Sequence, residues 1–154
     1  RTDGYRWPKT SADEETRNSM IVKRLADVAD TERDVRAETW RSRRMVLGKE
    51  RVGFSFHDTV IYAGTTSTFH YQNHVEAVYC VQGKGTLTDQ VTGKEYPLHD
   101  GVMYLLDGHE KHTVVAEEEL RMACVFNPPV TGREVHDENG VYPLIVEDEE
   151  SAVS

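Results

Sequence analysis

Four side chains able to bind a metal or move a proton stand at every second position of one short stretch: His70, Gln72, His74 and Glu76. Alternate residues of a regular strand share a face, so all four are expected to point into a barrel. A lone strand histidine is more often an ordinary packed or exposed side chain. Two imidazoles and a carboxylate on one face form a donor set suited to a divalent cation. A second stretch, Gly101 to Ala116, places Tyr104 mid-strand and His109 and His112 beyond the turn signal Asp107-Gly108. His112 begins the return strand and is placed to face the Glu76 strand across a small barrel, whereas His109 is expected on the turn, exposed. Tyr104 shares a face with Val102 and Leu106, where the ordinary role is core packing with a hydrogen-bonded hydroxyl. The two cysteines, Cys80 and Cys124, form no C-x-x-C pair, which excludes a zinc ribbon or a thioredoxin-like motif. Both lie in apolar runs and read as buried thiols.

The elements that must position these groups are strand-like. Short apolar or alternating runs occur at 40–47, 54–63, 67–71, 75–82 and 85–88, then at 95–98, 102–106, 112–116 and 120–126. Gly64, Gly83, Gly85, Gly93, Gly101 and Gly108 punctuate them, and Pro128-Pro129 ends the last. Regular short strands at this spacing predict an all-β sandwich or barrel. Leu25–Arg33, with Asp30 and Thr31 as possible caps, is the single helix candidate. Residues 1–19 are polar and aperiodic and read as a disordered N-terminal extension. The barrel domain is expected over 20–143, and 144–154, with the run Glu147 to Glu150, as an acidic C-terminal tail.

Eighteen basic against 27 acidic residues give a formal charge of −9, a sign that repels phosphate backbones and argues against a nucleic-acid partner. No run approaches the roughly 20 apolar residues of a membrane span, and no signal peptide is evident. The expected compartment is therefore the cytoplasm, and the expected partner a small molecule.

The stretch Gly64–Gly83 resembles the first cupin motif, G-x5-H-x-H-x3-E-x6-G. Gly64, His70, Glu76 and Gly83 match in register, and Gln72 stands in place of the second histidine. The stretch from Gly101 resembles the second motif, G-x5-P-x-G-x2-H-x3-N. There Gly101 and His112 match, while Asp107, His109 and Ala116 depart. The segments TERDVRAETWRSRRMVL, GFSFHDTVIYAGT, HYQNHVEAVYCVQGKG, MYLLDGHEKHT and CVFNPPVTGREVHDENGVYPL together resemble the ectoine synthases, from Met20 to about Pro143. The resemblance implies a cupin double-stranded β-helix, a jelly-roll barrel with at most one or two short helices, that pairs as a homodimer. It implies a metal held by Glu76, Tyr104 and His112. Iron(II) is the metal implied, although mixed nitrogen and oxygen donors also accept zinc, manganese or cobalt. It further implies substrate contacts at Trp40, Arg44, Thr59, Cys124, Phe126 and His136, with His57 on the same wall.

The activity implied is a cyclising dehydration of N-γ-acetyl-L-2,4-diaminobutyrate to ectoine, an osmoprotectant. The α-amine attacks the acetamide carbonyl and water leaves. A Lewis acid would polarise that carbonyl, with Tyr104 bound as a phenolate. Arg44 is the expected clamp for the substrate carboxylate. His136, Cys124 and Tyr104 are all candidates for the proton-transferring group. Two competing readings share the fold: an iron cupin dioxygenase, and a non-catalytic cupin that binds a small ligand.

Overall fold

The alternating runs fold into two antiparallel sheets in a computed structural model that describes residues 20–132. The first sheet has the spatial order β1 (Asp34–Arg36), β2 (Trp40–Val46), β3 (Ser55–Ile61), β10 (Leu120–Asn127), β5 (Val75–Gln82) and β8 (Met103–Leu106). The second runs β4 (Thr66–Phe69), β9 (His112–Ala116), β6 (Lys84–Asp89) and β7 (Glu95–His99). From β3 to β10 the chain crosses between the sheets at every step except β6 to β7, as an all-β jelly roll requires. The expected extension 1–19, the end of the expected barrel unit (133–143) and the tail 144–154 lie outside the described residues, as does His136.

Period-two alternation decides which side chains meet. On β10, Leu120, Met122, Cys124 and Phe126 are buried while the residues between them are partly exposed. Antiparallel pairing then lines up inward side chains across the first sheet. Tyr104 pairs with Val78, Val78 with Cys124, Cys124 with His57, and His57 with Arg44. One row thus crosses five strands that are distant in sequence. The adjacent row joins Leu106, Glu76, Phe126 and Ser55. From the second sheet, Phe69, Leu87, Leu98, Val114 and Ala116 close the core.

Gly83 makes the β5–β6 turn at φ +116°, and a Cβ there would sit 2.2 Å from the carbonyl oxygen of Glu119. The position therefore admits only glycine without backbone movement. On the outer face, Asp58 on β3 accepts hydrogen bonds from Arg43 on β2 and Arg121 on β10. Those two guanidinium groups outweigh burial, the largest opposing effect, and hold its carboxyl below the ordinary range.

Two expectations are corrected, and one strand appears that alternation did not predict. The helix covers only Leu25–Val28, because Asp30 turns left-handed at φ 60° and the Thr31 hydroxyl donates to the Val28 carbonyl. The strand β1 is polar, three residues long and carries no apolar alternation. Pairing with β2 and the Asp34–Arg41 ion pair hold it. Finally, His70 to Glu76 is not one strand: β4 ends at Phe69 and β5 starts at Val75, with a bend between them.

Candidate active site

That bend reverses the inward phase. Phe69 and Tyr71 are buried before it, and His74 and Glu76 after it. His70 is half-buried and Gln72 exposed, and the Gln72 amide lies 3.3 Å from His70 Nδ1. Of the four alternating donors, Glu76 alone lines the interior cavity. His74 is buried edge-on against Phe126 without lining it.

The cavity lies between the sheets and is partly open to solvent. Glu76 on β5, Tyr104 on β8 and His112 on β9 reach it from both sheets. Trp40, His57, Thr59, Cys124 and Phe126 line it as well. Arg44 does not. It is fully buried behind the lining, with Nε 3.5 Å from the Ser42 hydroxyl, and Ser42 faces the space. His109 is exposed on the turn, as expected.

His112 is built as a ligand is built. Its Nδ1 lies 3.0 Å from the Glu110 carbonyl oxygen, so Nδ1 carries the proton and Nε2 keeps its lone pair. Nε2 is buried and has no hydrogen-bond partner among the described residues. Burial lowers the pKa of this imidazole, more than the Glu110 contacts raise it, which keeps the ring neutral. A backbone carbonyl that fixes the tautomer in this way is the usual support for a metal-binding histidine. The Tyr104 ring approaches it edge-on at 6.0 Å between centroids.

Burial also governs the other donors. It pushes the Glu76 carboxyl up to about 8, against a hydrogen bond from the Cys124 thiol. It raises Tyr104 well above the ordinary phenol value, with the Glu76 charge adding to it. Cys124 is raised by burial first and Glu76 second, so it is a thiol at neutral pH, with Sγ 3.7 Å from the Thr59 hydroxyl. Bringing this many ionisable groups into one apolar space favours neutral forms, and a cation would reverse that preference. No three His, Cys, Asp or Glu side chains among the described residues are grouped to hold a metal by themselves. A site here needs the Tyr104 phenol.

One wall is a buried hydrogen-bond chain. His57 meets Ser42 Oγ through Nδ1 and Ser55 Oγ through Nε2, both at 3.1 Å, and Ser55 Oγ accepts the Val130 N–H at 2.9 Å. Burial, then the nearby Arg44 charge, pushes His57 far below the ordinary imidazole value. The neutral ring therefore donates from one nitrogen and accepts at the other. Ser42, Ser55 and Tyr71 were not singled out from sequence. Alternation with Trp40 and Arg44 marks Ser42, and alternation with His57 marks Ser55. Nothing local marks the inward turn of Tyr71.

A family model described as ectoine synthase matches residues 20–146. An L-ectoine synthase of Saccharopolyspora erythraea is 56% identical over 135 residues, covering 88% of this chain and all of that protein. A crystal structure of ectoine synthase from P. lautus is similar at a TM-score of 0.74 and 50% identity, over 84% of this chain and 94% of that one. A Cupin_2 domain of an Enterobacter cloacae transcriptional regulator, 12% identical, aligns at a TM-score of 0.50 over 60% of this chain and 99% of that one. That last likeness concerns the fold alone, a cupin barrel.

Proposed function

Because this chain belongs to the ectoine synthase family, and so to the carbon–oxygen lyases, we propose that it closes N-γ-acetyl-L-2,4-diaminobutyrate into ectoine. The α-amine attacks the acetamide carbonyl, the C–N bond forms, and the former carbonyl oxygen leaves as water. The observation that carries the site assignment is the buried Nε2 of His112, without a hydrogen-bond partner among the described residues, in one cavity with Glu76 and Tyr104. These three side chains would hold a divalent metal, iron(II) by the family resemblance. When bound, it supplies a Lewis acid for the amide carbonyl.

The remaining work falls to the cavity wall. Trp40 and Phe126 present apolar surface that keeps the flexible substrate curled, amine against carbonyl. Orientation of this kind can contribute on the order of 7 kcal/mol to a cyclisation. Arg44 provides positive charge behind Ser42, so the substrate carboxylate belongs on that side. Cys124 holds a proton at Sγ beside Thr59 and Glu76, where departing water needs one. Zinc, manganese or cobalt would suit the same donors.

The homodimer implied by the family is also proposed here. Tyr79 and Val81 on β5 and Met103 and Leu105 on β8 are exposed on one outer sheet face, an apolar patch suited to a second copy. No described helix is long and apolar enough to cross a membrane. The proposed site of action is the cytoplasm.

The test is an anaerobic incubation of purified protein with the substrate, with and without iron(II), following ring formation by NMR. Iron-dependent ectoine is expected. Glu76→Ala and His112→Ala are expected to lose metal and activity together, and full metal content in either variant would break the ligand assignment.

A further inference from the structure

We propose that His109 is a positioning residue: its imidazole supplies one more rung beyond the end of the β4–β9 ladder and holds Tyr71 against the His112 side of the cavity. The proposal rests on reading that cavity as the active site. Backbone pairing between β4 and β9 ends at Phe69 opposite His112. Beyond that pair the chains diverge, one bending towards β5 and the other turning back to β8. His109 Nδ1 lies 2.8 Å from the Tyr71 carbonyl oxygen, across 38 residues of sequence. A carbonyl can only accept, so the ring donates.

Tyr71 is what this bond holds. Its ring packs against His112 at 6.0 Å and edge-on against Phe126 at 5.2 Å between centroids. It forms part of the cavity wall. It lies in the bend that follows the end of β4, two residues past the last β4–β9 pair.

The backbone at His109 gives a second, independent reason. Its φ is 60°, the left-handed region that favours glycine. Glycine is also the residue that the second cupin motif carries at this place. Histidine here keeps the glycine conformation and adds a ring that spans to the neighbouring wall. A side chain held in such a conformation points to a role for the side chain itself. The rest of the turn is already fastened. Gly108 N–H donates to the Glu110 carboxylate, the Glu110 carbonyl holds His112, and the Lys111 carbonyl accepts the Gln90 N–H at 2.9 Å. The side chain of His109 adds the tie across to Tyr71.

His109→Gly and His109→Asn separate the bond from the backbone. Glycine keeps the left-handed turn and removes the bond. Asparagine tolerates the turn and places an amide N–H near the position of Nδ1. Three readouts are taken on the full chain: amide hydrogen exchange over 70–75, the cobalt(II) absorption spectrum and affinity, and kcat/KM. In His109→Gly, exchange over 70–75 is expected to quicken selectively. Cobalt affinity and kcat/KM are expected to fall about tenfold, the usual scale for losing a supporting shell, and His109→Asn is expected to restore all three. Unchanged exchange in the glycine variant, or an asparagine variant as impaired as glycine, overturns the proposal. Parent protein that makes no ectoine while the exchange and cobalt differences persist overturns the functional reading and leaves the role of His109 standing.

Discussion

Replacing Glu76 by glutamine tests whether burial keeps its carboxyl protonated in the folded protein. In the metal-free protein, burial raises this carboxyl from 4.5 to about 8. Between those two values the folded state holds a proton that the unfolded state has released. Stability from this group is therefore complete below pH 4.5, falls as pH rises, and is gone above about pH 8. At about 1.4 kcal/mol per pH unit, the span corresponds to roughly 5 kcal/mol. Glutamine keeps the shape and cannot ionise, so the variant should gain on the parent by nearly that amount as pH climbs through the window. Urea unfolding of metal-free protein at several values from pH 5 to 8.5, followed by fluorescence of the buried Trp40, gives the difference directly. Zinc or iron(II) added to the parent should remove the penalty and release protons, because the ligand must be a carboxylate. Parallel pH curves for parent and variant would refute the reasoning, since Glu76 would then ionise as if in water.

Cys124→Ala should lower kcat by about 10²-fold with metal retained, if the thiol transfers the proton; an unchanged kcat would return Cys124 to core packing. Gly83→Ala should destabilise by at least about 2 kcal/mol, since both φ and the Glu119 carbonyl oppose a Cβ, and thermal unfolding reads the loss. Asp58→Asn removes a carboxylate whose folded pKa is depressed by Arg121 and Arg43. Its contribution, about 1–2 kcal/mol for a partly buried cluster, is present above the unfolded value near 3.9 and lost as pH falls through the lower folded value. The variant should therefore unfold more readily than the parent at pH 6, with the gap closing in acid.

Strand existence was legible because alternation is a local property. Val75–Gln82 and His112–Ala116 appear at their expected bounds, and the other seven expected strands differ by at most three residues at their ends. The turn glycines marked the hairpins for the same reason, and the resemblance to ectoine synthases spans the barrel. Local patterning missed one strand and misread another segment where non-local contacts intervened. Asp34–Arg36 is a strand only because β2 offers it a ladder and Arg41 an ion pair. His70 and Gln72 leave the interior because the chain must bend to pass from one sheet to the other, and one bend exchanges the faces of every residue after it.

The amino-acid sequence by itself determined the strand content, the turn positions and the side chains available for chemistry. Tertiary structure alone decided which of those side chains meet. It set Tyr104, Cys124, His57 and Arg44 in one register row and put Arg44 behind Ser42. It freed the Nε2 of His112 by giving its other nitrogen to Glu110. Register, burial and tautomer depend on which strands pair across the barrel, and pairing between distant strands leaves no periodic signal within any one of them.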